Sequence, residues 1–195
     1  MRVSEWAYDW FLYPFEQRML RRRRRALLAG VEGRVLEIGA GTGSNFPHYP
    51  YRRMTSLTVT DLSLGDRVRG FRFPEELPVR FQEGDVQQLP FADESFDAVV
   101  FTLVLCSVDD PVRGLSEIHR VLVPGGRIFF MEHVRPSHPG WRGAFDRINP
   151  LWRRCSGGCN LNRDTLETIR GVGFIWEDDP WAQGIFRGGW ARKEE

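Results

Sequence analysis

The chain has 195 residues, of which 42% are hydrophobic, and its formal net charge is +1. This length and composition indicate one folded domain with a substantial core, and a charge near zero argues against general binding to nucleic acid. Three cysteines are too few for a disulfide framework, and neither a signal peptide nor an apolar run of about 18 residues is seen, so we expect a cytoplasmic protein without a transmembrane segment.

The first 30 residues predict two helices. Apolar side chains at helical spacing over 3–12 indicate the first, and the second starts near Pro14 and ends before Gly30. The second helix carries the arginine run Arg21–Arg25, which covers all of its sides and is therefore interpreted as solvated surface. Because aromatic residues precede the run, peripheral contact with an anionic membrane surface is an open alternative.

From residue 34, strand-like and helix-like segments alternate, which predicts a parallel sheet covered by helices. The predicted strands of this part are 34–38, 56–61, 78–82, 97–103 and 126–133. Helix-compatible segments lie between them at 43–49, 64–70 and 111–122. Residues 137–160 are rich in Gly, Pro, Trp and Arg. The remainder predicts a helix at 161–171 and two closing strands, 173–178 and 184–192, joined by a turn at Pro180.

The segment 35–43, VLEIGAGTG, joins a buried strand to a glycine-rich turn. Such a unit lets backbone approach a ligand closely and forms a nucleotide-type cradle. A dinucleotide site needs the spacing G-x-G-x-x-G, but Ser44 stands where the third glycine is required. Glu37 would point a negative charge at the ligand, which suits a cationic amino-acid head group. Asp61, at the end of the next strand, can accept hydrogen bonds from a ribose diol.

The pattern E-x-G-x-G-x-G, which begins at Glu37, resembles motif I of the class I S-adenosylmethionine (SAM)-dependent methyltransferases. GDVQQLPF at 84–91 and FDAVVFTLVLCSV at 96–108 resemble later motifs of that family. The resemblance implies a Rossmann-like sheet of seven strands, mostly parallel with an antiparallel last strand, and SAM as the cofactor, with S-adenosylhomocysteine as product. The cofactor-binding residues that it implies are Glu37, Gly39, Ala40, Gly41, Gly43, Asn45, Asp61, Leu62, Asp85, Val86, Thr102 and Leu103.

The segment 146–163, DRINPLWRRCSGGCNLNR, resembles one subgroup of this superfamily, which has a D-x-x-x-P-x-W stretch followed by G-C-N-L. The same subgroup carries TLVLCSV and FMEHV, found here at 102–108 and 130–134. Its animal members are membrane-anchored methyltransferases of small thiols, and bacterial relatives are often named quinone or phospholipid methyltransferases. The resemblance implies one methyltransferase domain over 1–195, with lid helices at 1–30, a SAM-binding core at 31–136 and an acceptor-pocket segment at 137–195.

We therefore expect methyl transfer from SAM to a small apolar or amphipathic acceptor: a thiol, quinol, phenol or lipid head group. The main contribution of such an enzyme is proximity and orientation, and a base is needed only if the acceptor must lose a proton. His133 is the candidate base, although a framework role for it is favoured. The rival hypotheses are a SAM-binding protein without turnover, a nucleic-acid methyltransferase, disfavoured by TLVLCSV at 102–108, and a dehydrogenase, disfavoured by Ser44 and Glu37.

The three cysteines raise the question of a metal site. Cys106 is expected to border the cofactor or the acceptor, as a small buried hydrophobe or as a chemical group. Cys155 and Cys159 are four residues apart and, together with Cys106, could mimic a soft-metal site such as an arsenite acceptor site. Because Cys106 and Cys159 both fall inside motifs that the resemblance explains, no metal site is predicted.

Overall fold

A mixed β-sheet runs through the centre of the computed structural model, which describes residues 20–136, 138–156, 158–176, 178 and 180–195. The strands are β1 (Gly33–Ile38), β2 (Met54–Asp61), β3 (Val79–Glu83), β4 (Phe96–Thr102), β5 (Leu122–His133), β6 (Phe174–Trp176), β7 (Trp181–Gln183) and β8 (Phe186–Lys193). Their order is β3-β2-β1-β4-β5-β8-β6, and β7 also pairs with β8. Strands β1 to β5 pair in parallel and β8 is antiparallel to its neighbours. The predicted Rossmann-like sheet with an antiparallel last strand is confirmed.

The edge of the sheet beyond β8 is divided between two short strands. Trp176 of β6 pairs with Ala191, and Trp181 of β7 pairs with Gly188 further back along β8. The two strands thus share the seventh position of the expected sheet, so the count of eight reflects one interrupted edge strand. The hairpin turn before β8 lies at Gly184 and not at Pro180. The φ of Gly184 is 60°, a left-handed backbone conformation that glycine adopts without strain.

Five helices are described: α1 (Arg21–Leu28), α2 (Asp66–Arg69), α3 (Pro111–Val121), α4 (Pro139–Cys155) and α5 (Thr165–Gly171). The predicted helix at 3–12 lies outside the described residues. The predicted helix at 43–49 is wrong, since only one 3₁₀ turn, Phe46–His48, forms there. Pro47 has no backbone N–H to donate and Gly43 adopts φ of 79°, so an α-helix cannot run through this segment.

Helix α4 is the main element that the sequence did not predict. Pro139 suits its first turn, and the His138 side chain accepts a hydrogen bond from the Gly140 N–H at 3.2 Å. Pro150 lies inside the helix, where proline removes a backbone hydrogen bond. The propensities of proline and glycine in this segment therefore argued against a helix, and tertiary packing prevails over them.

The core lies on both faces of the sheet, because successive side chains of a strand point to opposite sides. Val35, Val59 and Val100 pack on the face covered by α1. Leu36 and Phe101 pack on the opposite face, against α3 and α5. Because strands β1, β2, β4 and β5 run in parallel, their carboxyl ends all lie at one rim of the sheet. No helix of the described part of the chain is long and apolar enough to cross a membrane.

Candidate functional site

A cleft of about 340 Å³ opens at the carboxyl ends of β1, β2 and β4. Open α/β sheets bind ligands at this rim, and the volume is in the range of small-molecule sites. Three separate motifs of the sequence meet here. The predicted cofactor residues that line the cleft are Gly39, Gly41, Asp61, Leu62, Asp85, Val86 and Leu103.

The other predicted cofactor residues, Glu37, Ala40, Gly43, Asn45 and Thr102, are not among those that line the cleft. Three of them form a hydrogen-bond network in the protein interior together with an arginine. Arg24 donates to Asn45 Oδ1 and, at 2.9 Å, to Thr102 Oγ1. The Asn45 amide donates to Glu37 Oε1 at 3.0 Å. This network ties α1 to the ends of β1 and β4, and the prediction that these residues bind cofactor remains a prediction.

Glu37 is 1% exposed and has one oxygen without a hydrogen-bond partner among the described residues. Burial raises the pKa of Glu37 to about 7, although Tyr49, Asn45 and Arg24 favour its charged form. A buried carboxylate oxygen without a donor is costly. A cationic or hydrogen-bond-donating ligand would remove that cost.

The glycine turn after β1 serves two different purposes. A Cβ on Gly39 would lie 2.3 Å from Val104 Cγ2, so this position must be glycine for the two loops to pack. A Cβ on Gly41 would meet nothing within 4 Å, and Gly41 lines the cleft. Gly39 N–H donates to the Thr60 carbonyl at 2.8 Å and Gly41 N–H to Asp61 Oδ2 at 2.9 Å. These donors are engaged within the protein, so they are not free to hold a pyrophosphate.

The charge of the cleft is negative. Asp61, Asp85 and Asp109 line it, and its described lining contains no arginine, lysine or histidine. Opposite charges at short range attract, most strongly where water is partly excluded. The cleft therefore suits a cationic ligand better than the pyrophosphate of a dinucleotide.

The loop after β4, residues 103–108, is held by a buried carboxylate of β5. Glu132 accepts hydrogen bonds from the N–H groups of Val104, Leu105 and Cys106 at 2.8, 3.0 and 3.2 Å. Burial raises the pKa of Glu132 to about 7, despite these donors. Leu103 begins the loop with φ of 59°, a conformation that costs free energy in a non-glycine residue and persists only under such constraints.

The G-C-N-L turn, residues 158–161, holds the same loop from the other side. Asn160 donates to the Cys106 carbonyl through its backbone N–H at 2.8 Å and its side-chain amide at 2.9 Å. Asn149 of α4 in turn donates to Asn160 Oδ1 at 3.2 Å and accepts from Leu161 N–H at 2.8 Å. The subgroup-specific segment thus positions the wall of the cleft.

His133 and Cys106 lie behind that wall and not in it. His133 is 3% exposed, with Nδ1 3.5 Å from Cys159 Sγ and its ring 4.5 Å from that of Phe186. Cys106 is fully buried. The pKa of the Cys159 thiol is lowered, first by the hydrogen bond from the neighbouring Cys106 thiol and then by His133. This placement favours the framework role of His133, and the expectation that Cys106 borders the cofactor or the acceptor stays a prediction.

Sequence reasoning missed several residues of the site. Gln87 donates to both oxygens of Asp85, at 3.2 and 3.0 Å, and so fixes its orientation. Arg24 is 5% exposed, although its run predicted solvated surface; a run of five identical residues carries no signal of which one is buried. The other cleft-lining residues were not named as cofactor-binding, although all but Asp109 lie inside the motifs quoted above: Ile38, Gly84, Gln87, Val104, Ser107, Val108 and Asp109.

Comparison with known proteins places this chain among the methyltransferases. The family model for the methyltransferase domain matches residues 36–130. The chain is 35% identical over 181 residues to the human thiol S-methyltransferase TMT1B, covering 84% of this chain and 72% of that protein. It is 32% identical over 181 residues to the demethylmenaquinone methyltransferase of Renibacterium salmoninarum, covering 87% and 73%.

Solved structures agree on the fold. The SAM-dependent methyltransferase from Mesorhizobium loti superposes with a TM-score of 0.64 at 22% identity, covering 89% of this chain and 97% of that one. The [4+2]-cyclase SpnF gives a TM-score of 0.71 at 20% identity, covering 91% and 82%. A cyclase among the neighbours illustrates that this fold alone does not decide the reaction.

Proposed function

The chain belongs to the SAM-dependent methyltransferases, and from this premise we propose that its methyl acceptor is a small apolar or amphipathic thiol. When bound, SAM supplies a methyl group on a sulfonium that a nucleophile can displace directly. The task left to the protein is to orient the two reactants and exclude water. Relatives named as thiol S-methyltransferases support the thiol, and relatives named as demethylmenaquinone methyltransferases make a quinol the second candidate.

We assign the cofactor to the cleft at the ends of β1, β2 and β4. Asp61 is to hold the ribose, Asp85 and Val86 the adenine, and Glu37 with the glycine turn the methionine part. Two features support this assignment: the carboxylates of the cleft and the open space beside Gly41.

The observation that carries the choice of acceptor is the lack of a strong base in the described lining of the cleft, which contains no histidine, lysine or tyrosine. A thiol has a pKa of about 8.5 and is a few per cent ionised at neutral pH, whereas a phenolic hydroxyl has a pKa of about 10. A thiol can therefore supply its own nucleophilic anion. A quinol or phenol has a higher pKa and depends more on proton removal, for which the described lining offers only carboxylates, and these are weak bases.

The test is methyl transfer from labelled SAM to a matched panel: an apolar thiol, the corresponding phenol, a hydroquinone and phosphatidylethanolamine. We expect the thiol to be methylated, at a rate that rises with pH towards the thiol pKa. The same panel without protein corrects for uncatalysed transfer. Methylation of the hydroquinone but of no thiol would overturn the proposal. Calorimetric binding of S-adenosylhomocysteine without turnover of any acceptor would favour the rival, a SAM-binding protein without activity.

A further inference from the structure

Three side chains that commonly bind metals meet in the interior, behind the wall of the cleft. Cys106 belongs to the loop after β4, His133 ends β5, and Cys159 lies in the turn after α4. They are 0%, 3% and 1% exposed, respectively. Their ligand atoms, two sulfurs and one ring nitrogen, all lie within 4.8 Å of one another.

The spacing of the Cys159 sulfur and the His133 nitrogen fits a single tetrahedral ion. Zinc binds thiolate at about 2.3 Å and imidazole at about 2.0–2.1 Å, so two such ligands at a tetrahedral angle are about 3.5 Å apart. The distance from Cys159 Sγ to His133 Nδ1 is 3.5 Å. An ion could thus be bound with little movement of the Cys159 and His133 side chains.

The cluster is also held rigidly by its surroundings. Cys106 is fixed through its N–H by Glu132 and through its carbonyl by Asn160. His133 is fixed by the pairing of β5 with β8, where it lies opposite Phe186. Apolar side chains close the space around the two cysteines; they are Leu161, Phe145, Trp152 and Ile185. Ligands fixed in this way need no ordering on binding, which favours affinity for an ion of matching size.

The donor set is selective in its chemistry. Two sulfurs and an imidazole suit Zn²⁺ and exclude hard ions such as Mg²⁺ and Ca²⁺, which prefer oxygen. Three protein ligands leave one position of the tetrahedron for water or another exogenous ligand. We propose that Cys106, His133 and Cys159 together bind one Zn²⁺ ion.

The experiment measures metal content and metal spectra of the whole chain, purified under reducing conditions and loaded with Zn²⁺ or Co²⁺. We expect about one Zn²⁺ per chain by elemental analysis, and thiolate-to-metal charge-transfer absorption with Co²⁺. Cys106→Ser, Cys159→Ser and His133→Asn should each weaken metal binding by at least about tenfold. His119→Asn is the matched control, since His119 is half-buried against Phe174 away from the cluster, and it should bind metal as the unaltered chain does.

Calorimetry with S-adenosylhomocysteine shows independently whether each variant is folded. Where a ligand variant does not fold, the Co²⁺ spectrum of the unaltered chain decides, because thiolate charge transfer requires cysteine ligation. A reduced, folded chain that takes up no Zn²⁺ or Co²⁺ overturns the proposal. It is also overturned if His119→Asn loses as much metal as the ligand variants, or if Cys106 and Cys159 form a disulfide in place of binding zinc.

Discussion

Asp61 illustrates how one carboxylate can organise both the protein and the ligand. It accepts the Gly41 N–H through Oδ2 at 2.9 Å and also lines the cleft. Each carboxylate oxygen has more than one lone pair, so this bond leaves capacity for a ribose diol. The fold can therefore form before the cofactor arrives, with the glycine turn already set.

Replacing Asp61 by Asn should weaken binding of S-adenosylhomocysteine by about ten- to a hundredfold, because hydrogen bonds to a charged acceptor contribute about 1.5–3 kcal/mol. Isothermal titration calorimetry measures this directly. Asp66→Asn, a change at an exposed carboxylate in the first turn of α2, is the control and should bind normally. Equal affinity of the two variants would remove Asp61 from the cofactor site.

Glu37 should make the stability of the cofactor-free protein depend on pH. Its pKa is about 7 in the folded state and near 4.3 when unfolded. A raised folded pKa stabilises the protein fully below the unfolded value, and this stabilisation is lost as pH rises through about 7. The free energy of unfolding should therefore fall by up to about 3 kcal/mol between pH 4 and pH 8 on this account.

Glu37→Gln tests that expectation, since the amide keeps the shape and cannot ionise. Urea unfolding at several pH values should give a flatter pH profile for Glu37→Gln than for the unaltered chain, with Glu132 as the remaining buried carboxylate. Glu76→Gln alters an exposed loop carboxylate and should leave the slope unchanged. The expectation fails if Glu37→Gln and Glu76→Gln give the same slope.

At the scale of elements, α4 affects the cleft indirectly, through the loop after β4. Asn149 of α4 binds Asn160, Asn160 binds the Cys106 carbonyl, and the loop that contains Cys106 forms the cleft wall. The polar residues of the subgroup motif are thus explained as a hydrogen-bond relay between a helix and a loop. Contact with the acceptor is not required to account for them.

The relay predicts coupling between Asn149 and Asn160. Each change to alanine should lower the free energy of unfolding by about 1–3 kcal/mol, because buried partners are left unpaired. In the double variant the loss should be less than the sum, with an interaction energy of about 0.5–3 kcal/mol. Chemical denaturation of the four proteins measures the cycle. Additive losses would show that the two amides act independently.

The sequence predicted elements where pattern and propensity agree. Strands such as β2 and β4 are apolar runs bounded by polar residues, and α3 has an Asp110 cap and an apolar stripe. Prediction from the sequence was wrong where tertiary contacts outweigh the conformational preference of the local residues. Helix α4 forms despite Pro150, and the edge strand breaks between β6 and β7. The sequence pattern grouped Cys106 and Cys159 with Cys155, but it did not place His133 beside them, since that arrangement depends on three elements meeting.

On the scale of the whole molecule, the cleft couples ligand binding to global stability. The cofactor contacts predicted from three motifs lie on β1, β2 and the loops after β3 and β4, so a bound ligand joins most of the parallel sheet. A ligand present at about 100 times its dissociation constant stabilises the folded state by about 2.7 kcal/mol. For a chain of this size the melting temperature should rise by roughly 5–10 °C.

S-adenosylhomocysteine should give that rise in a thermal-shift experiment, and NADH should give none. The negative cleft and the engaged N–H groups of the glycine turn are the reasons for the difference. Asp61→Asn should lose most of the shift. A shift with NADH of equal size would contradict the cofactor assignment and restore the dehydrogenase hypothesis.

The position of β8 has a consequence for biosynthesis. β8 pairs with β5 on one side and with β6 and β7 on the other, and it follows all of them in sequence. While the nascent chain leaves the ribosome, one edge of β5 therefore stays unpaired, and such an edge is a template for aggregation. Non-local pairing of this kind also slows folding. The sheet can be completed only after β8 has been translated, and until then the nascent chain exposes a strand edge that is prone to aggregation.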